Sequence, residues 1–213
     1  MATRIIVTGT DTGIGKTVFA AGLTRLLGGV YFKPVQAGLE GETDTAVVQR
    51  LSALPAQRML AEIWRFKTPA SPHLAAERDG LTIDPASLSL PSLERPLVVE
   101  GAGGLMVPLT RDVLFIDVFA RWAAPVVLCA RTALGTLNHT LLSLEALRRR
   151  GIPILGVALI GEAHVDNERT LGEMGGVPIL GRLPLLDPLT PQSLQTAFSA
   201  AFRRESFVAA GSP

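Results

Sequence analysis

Apolar positions along this chain fall into two alternating patterns. Short runs such as Ile5-Ile6-Val7, Val30-Tyr31-Phe32, Leu97-Val98-Val99 and Val126-Val127-Leu128-Cys129-Ala130 are unbroken. Such runs mark strands buried on both faces. Between them, apolar residues recur at helical spacing: Val18, Phe19, Leu23, Leu26 and Leu27, and again Leu137, Leu141, Leu144 and Leu147. The pattern predicts strands over 4–8, 30–32, 97–100, 126–130, 154–160 and 178–180. It predicts helices after the first strand and over 43–54, 116–122, 136–150 and 190–202, with a shorter one through Arg78. Gly28-Gly29 ends the first helix, and Thr43 is the expected N-cap of the second, with Asp44 in its first turn. The remainder of 55–93 reads as irregular, and 206–213 as a frayed tail.

Strands alternating with helices imply an α/β fold with a parallel sheet and helices on both faces. In such sheets ligands bind beyond the carboxyl ends of the strands. Four segments follow a strand directly: Gly9-Thr10-Asp11-Thr12-Gly13-Ile14-Gly15-Lys16-Thr17, Lys33-Pro34-Val35, Glu100-Gly101-Ala102-Gly103-Gly104, and 131–135. All four are expected on one sheet edge.

The first segment has strand, glycine loop and helix in the order a phosphate loop requires, which makes the expected fold P-loop NTPase-like. Its glycines let backbone N–H groups face an anion, and the helix N-terminus adds a favourable dipole. Lys16 is placed to reach the terminal phosphates and Thr17 to ligate Mg²⁺. Five residues, rather than four, separate Gly9 from Gly15. The alternative is a tight strand-to-helix turn with a solvated lysine.

Composition narrows the class further. Charged residues make up 18% and apolar ones 47%, which excludes disorder, and 213 residues suit a single domain with a sizeable core. A net charge of +1 gives no electrostatic reason to expect nucleic acid or a membrane surface. No apolar stretch is long enough to span a bilayer, and Met1 leads straight into the first strand without a signal peptide. The lone Cys129 rules out an internal disulfide framework, suits a reducing cytoplasm, and reads as a packed thiol.

A nucleoside triphosphate at the loop brings Mg²⁺, which takes oxygen ligands. Thr17, Glu100 at the end of its strand and Asp44 are the candidates. The alternatives are a carboxylate capping a glycine turn for Glu100 and a helix N-terminal charge for Asp44. Lys33, on a strand end facing the loop, is a candidate second cation. Arg148-Arg149-Arg150 reads as a solvated helix end, and His73, His139 and His164 have no metal-site spacing.

Taken together, the phosphate loop, Lys33-Pro34-Val35-Gln36, Ser71-Pro72-His73, Glu100-Gly101-Ala102-Gly103-Gly104 and Leu134-Gly135-Thr136-Leu137-Asn138-His139 resemble the dethiobiotin synthetases, in the family's order and over nearly the whole chain. The five-residue gap in the loop is also the family's. The resemblance implies closure of a ureido ring from 7,8-diaminononanoate (7,8-diaminopelargonate), CO₂ or bicarbonate, and ATP, with Mg²⁺. One amine becomes a carbamate, ATP phosphorylates it, and the other amine closes the ring and expels phosphate. It further implies Lys33 and Lys16 as catalytic residues and Thr17, Asp44 and Glu100 as metal ligands. ATP contacts are implied at Gly13, Ile14, Gly15, Lys16, Thr17, Val18, Asp44, Glu100, Gly101, Ala102, Gly103, Pro184, Leu185 and Leu186. Substrate contacts are implied at Thr12, Lys33 and Ala37, and at Gly135, Thr136, Leu137 and Asn138, whose N–H groups would serve the partner subunit of a homodimer.

The sequence departs from the family at three places. Ala37 stands where some members carry a serine or threonine that touches substrate. Leu159-Ile160-Gly161 stands where the family often has an asparagine that reads adenine, which leaves the base preference open. The loop before the second strand is short. Two related classes remain as rivals: a partitioning or targeting switch ATPase, and a cobyrinate amidotransferase-like synthetase domain.

Overall fold

The computed structural model describes residues 2–208. Nine strands and seven α-helices follow one another along these residues: β1 (Arg4–Gly9), α1 (Lys16–Leu27), β2 (Val30–Phe32), β3 (Val35–Ala37), α2 (Asp44–Ser52), β4 (Met59–Leu60), β5 (Trp64–Phe66), α3 (Pro72–Arg78), β6 (Leu97–Glu100), α4 (Phe115–Trp122), β7 (Val126–Arg131), α5 (Thr136–Arg149), β8 (Ile154–Ile160), α6 (Val165–Gly175), β9 (Ile179–Leu183) and α7 (Pro191–Ala201). Seven strands form one sheet in the order β4-β2-β6-β1-β7-β8-β9. Every pairing in it is parallel. A small parallel pair, β3 with β5, stands apart.

Side-chain alternation along the buried strands feeds two separate cores. Ile5, Val7, Val98, Val127 and Cys129 face Phe19 and Leu23 of α1, Val48 and Leu51 of α2, and Leu194 and Phe198 of α7. Ile6, Val126, Leu128 and Ala130 face Ala75 of α3, Phe115 and Phe119 of α4, Leu144 and Leu147 of α5, and Leu171 of α6. Helices therefore cover both faces, as the sequence pattern predicts. Cys129 is fully buried, and burial pushes its thiol well above the ordinary range, so it is packing and not a nucleophile.

Phe19 anchors the first core. Its ring lies 5.3 Å from Phe198, 5.2 Å from Phe202 and 6.3 Å from Phe207. Truncating a fully buried phenylalanine costs about 3–5 kcal/mol, the transfer term plus the cavity left behind. Phe19→Ala is expected to lower unfolding stability by that amount, read as a fall in the urea midpoint.

Three features differ from the sequence reading. Helix α6 went unpredicted because, of its apolar residues, only Leu171 is buried, while Val165 and Met174 are exposed, so no helical stripe exists to read. Its ends are set instead by His164, whose ring accepts from Asn167 N–H, and by Gly176 in the left-handed region. The stretch 55–93 holds β4 and β5, too short to show a period. The expected fraying does not begin at 206: a 3₁₀ turn at Arg204–Ser206 carries Phe207 into the core at 1% exposure. Residues 209–213 lie outside the described residues. Among the described residues no helix is long and apolar enough to cross a membrane.

Candidate active site

The phosphate loop leaves β1 at the centre of the sheet and enters α1 at Lys16. Gly15 caps the helix at φ 96°, a conformation that glycine adopts without strain. Two neighbours hold the loop. Thr10 N–H donates to Cys129 O, and the Arg131 guanidinium donates to Thr12 O at 2.9 Å. Lys16 is 6% exposed and its ammonium donates to Asp11 O at 2.8 Å. Burial lowers it below the usual lysine range; Glu100 opposes that, and neighbouring Lys33 adds to it.

A cluster of oxygens meets beside the loop. Thr17 Oγ1 donates to Glu100 Oε1 at 2.8 Å and lies 3.1 Å from Asp44 Oδ1. Three elements supply these groups: Thr17 from the start of α1, Asp44 from the start of α2, and Glu100 from the end of β6. Thr43 caps α2 by accepting from Ala46 N–H, as the sequence predicts, which fixes Asp44 in the first turn. One hydroxyl and two carboxylates form a hard, oxygen-only donor set, the chemistry that suits Mg²⁺.

Lys33 lies between the two carboxylates. Its ammonium is 2.6 Å from Asp44, 3.2 Å from Glu100 and 2.9 Å from Gly101 O, and the residue is 4% exposed. Burial alone would lower this lysine. Glu100 and Asp44 outweigh burial and hold it above the usual range, which favours its charged form. Burial likewise acts to raise Asp44, and Lys33 overrides it, leaving the carboxylate below its ordinary value.

Two further groups in this cluster were not singled out from the sequence. Gln36 accepts from Asp44 N–H at 3.2 Å and so ties β3 to the start of α2. The Tyr31 hydroxyl donates to Glu100 Oε2 at 2.8 Å. Burial raises this phenol well above its ordinary range, with Glu100 and Asp44 adding to the effect. The i, i+2 spacing of Tyr31 and Lys33, at the end of an apolar run, was the available signal.

Two cavities border the phosphate loop. The first, about 530 Å³, is lined by Gly13, Ile14, Gly15 and Val18 of the loop, the end of β8, and Leu183, Pro184, Leu185 and Leu186. The second, about 340 Å³, is lined by Thr10, Asp11 and Thr12, by 104–108, and by Leu142, Ser143 and Ala146 of α5. Lys16, Thr17, Lys33, Asp44 and Glu100 line neither cavity. Gly101, Ala102 and Gly103 form the turn after Glu100. Ala37 and the segment Gly135, Thr136, Leu137 and Asn138 line neither cavity. Gly135 caps α5 in the left-handed region with no side-chain cap, and Gly135 and Asn138 are exposed. The three histidines are apart from one another, and among the described residues no group of His, Cys, Asp and Glu makes a metal site by itself.

At the far end of the first cavity the backbone is already used. Gly161 N–H donates to Leu183 O, and Gly161 O accepts from Arg182 at 2.8 Å. The residues that stand at the expected asparagine position therefore offer a base edge fewer backbone groups than the sequence suggests.

A parallel sheet wrapped around such a loop defines a phosphate-loop nucleotide-binding protein. Solved structures agree on that fold: a ParA family ATPase from Chlorobium tepidum TLS has a TM-score of 0.54 at 13% identity, covering 93% of this chain and 97% of that one. The cell division ATPase MinD of Pyrococcus furiosus has a TM-score of 0.57 at 16% identity, covering 93% and 95%. Residues 3–193 match the family model described as an AAA domain. Curated relatives are far closer in sequence. The ATP-dependent dethiobiotin synthetase of Rhodopseudomonas palustris strain TIE-1 is 64% identical over 98% of both chains. That of Nitrobacter hamburgensis is 61% identical over 98% of both, and that of Bradyrhizobium sp. strain BTAi1 64% identical over 97% of this chain and 99% of the relative. The chain belongs to the ATP-dependent dethiobiotin synthetase family.

Proposed function

We propose that the chain closes the ureido ring of dethiobiotin from 7,8-diaminononanoate, CO₂ and ATP, as a cytoplasmic enzyme of biotin synthesis. The observation that carries this reading is the placement of Lys33: a buried lysine paired with two carboxylates, opposite a phosphate loop and beside an oxygen cluster. A switch ATPase needs a triphosphate site alone; a second buried cation suits a reacting group that is itself anionic. The full-length relatives at 61–65% identity favour the same choice over the switch and amidotransferase classes.

In this reading the first cavity takes the nucleotide and the second the diamine. A cation near the amines disfavours their ammonium form, so one amine stays neutral and adds to CO₂ with loss of a proton. Lys33 then balances the carbamate's charge. Lys16 balances charge on the γ-phosphoryl as it passes from ADP to the carbamate oxygen. The second amine attacks the carbamoyl carbon, phosphate leaves with the C–O bond electrons, and the new ring nitrogen gives up a proton. Thr17, Asp44 and Glu100 would hold Mg²⁺, which neutralises phosphate charge when bound. The N-terminus of α5, where Gly135 and Asn138 are exposed and no side chain caps the helix, suits the substrate carboxylate of a partner subunit in a homodimer. Thr12 lines the diamine cavity, while Ala37 does not.

Carbon-13 bicarbonate tests the reaction. Its carbon is expected in the ring carbonyl of a product with the mass of dethiobiotin; a product without the label would refute the reading.

Replacing Glu100 by Gln keeps shape but removes a charge from the donor set. The Mg²⁺ concentration for half-maximal turnover is expected to rise by about tenfold or more. Overlaying titrations would remove Glu100 from the metal site.

Base selectivity is expected to be weak. The far end of the first cavity has Ile160 in place of an amide, and Gly161 has spent its backbone groups on β9. Most nucleotide affinity then comes from the phosphates. GTP or CTP is expected to support turnover within about tenfold of ATP, a gap of roughly 1.4 kcal/mol in kcat/KM. An ATP preference above about a thousandfold would show that another residue reads the base edge.

A further inference from the structure

Tyr31 is the chain's single tyrosine and is fully buried. It sits on β2 in register with Val98 of β6, so its side chain shares a sheet face with Glu100, two residues along the next strand, and Lys33 follows one residue past the end of β2. The two oxygens of Glu100 consequently have different surroundings. Oε1 accepts from Thr17 at 2.8 Å and from Lys33 at 3.2 Å, on the side of the phosphate loop. Oε2 accepts from the Tyr31 hydroxyl at 2.8 Å, within the protein.

This division bears on which cation the cluster takes. Mg²⁺ is small, demands near-octahedral geometry and favours single carboxylate oxygens, whereas Ca²⁺ accepts more ligands and can take a carboxylate through both oxygens. We infer that Tyr31 is a positioning residue: by occupying Oε2 it holds Glu100 to one-oxygen coordination and biases the site toward Mg²⁺ over Ca²⁺. The inference rests on Glu100 being a metal ligand, as proposed above. If the phenol is only a core group satisfying its own hydroxyl, its removal alters stability and leaves the choice of metal untouched.

Calorimetric titration of Mg²⁺ and of Ca²⁺ into the full chain holding a non-hydrolysable ATP analogue separates these outcomes. Tyr31→Phe is expected to raise Ca²⁺ affinity relative to Mg²⁺ by about tenfold, while Glu100→Gln weakens Mg²⁺ binding. A parental Ca²⁺ to Mg²⁺ ratio in Tyr31→Phe, with Mg²⁺ weakened in Glu100→Gln, overturns the positioning role and leaves the metal assignment standing. Unchanged Mg²⁺ binding in Glu100→Gln overturns both. Because no other tyrosine exists, the chain grown on meta-fluorotyrosine carries fluorine at this position alone. Its fluorine resonance is expected to move when Mg²⁺ joins the analogue-bound protein. A line that ignores the metal overturns the role even should Tyr31→Phe not fold.

Discussion

Alanine in place of Lys33 is expected to lower kcat for dethiobiotin formation by about a thousandfold or more, the scale set by losing a preorganised charge at a reacting oxyanion. The side chain has three acceptors in a dry site: Asp44, Glu100 and Gly101 O. Without it the two carboxylates lose the ammonium between them, and the carbamate loses the charge that balances its own. ATP binding should suffer much less, because the phosphate loop and Lys16 remain. Steady-state kinetics with separate titrations of ATP and diamine will show this split. Near-normal ring closure by the variant would remove Lys33 from the chemistry.

Lys16→Ala is expected to abolish turnover by a different route. Lys16 opens α1 inside the loop and is buried there, its ammonium 2.8 Å from Asp11 O. From that position it serves the triphosphate, so its loss should weaken binding of a non-hydrolysable ATP analogue by about a hundredfold and remove the cation that steadies phosphoryl transfer. Analogue binding by calorimetry distinguishes the two lysines: weakened in Lys16→Ala, retained in Lys33→Ala. Equal binding in both variants would contradict the division of labour.

These five residues of the polar centre were legible because strand ends and helix starts place them. Lys16 and Thr17 follow a β-branched run, Lys33 and Glu100 end apolar runs, and Asp44 follows a capping threonine. The two cores were legible for the same reason, since continuous apolar strands and leucine-spaced helices leave few alternatives. Tyr31 was not, because a tyrosine in an apolar triplet looks like core; only the register of β2 on β6 shows its hydroxyl meeting Glu100. Gln36 was hidden similarly: its bond to Asp44 N–H spans a loop whose path no period encodes. Helix α6 escaped because its caps and one buried leucine, rather than a stripe, hold it.

Dependence of ADP release on both co-substrates tests the central claim most directly. With diamine, bicarbonate, ATP and Mg²⁺ present, ADP and dethiobiotin should form in equal amounts, and omitting either the diamine or bicarbonate should reduce ADP release to background. ADP release that continues unchanged without the diamine would contradict the synthetase reading and favour a nucleotide switch.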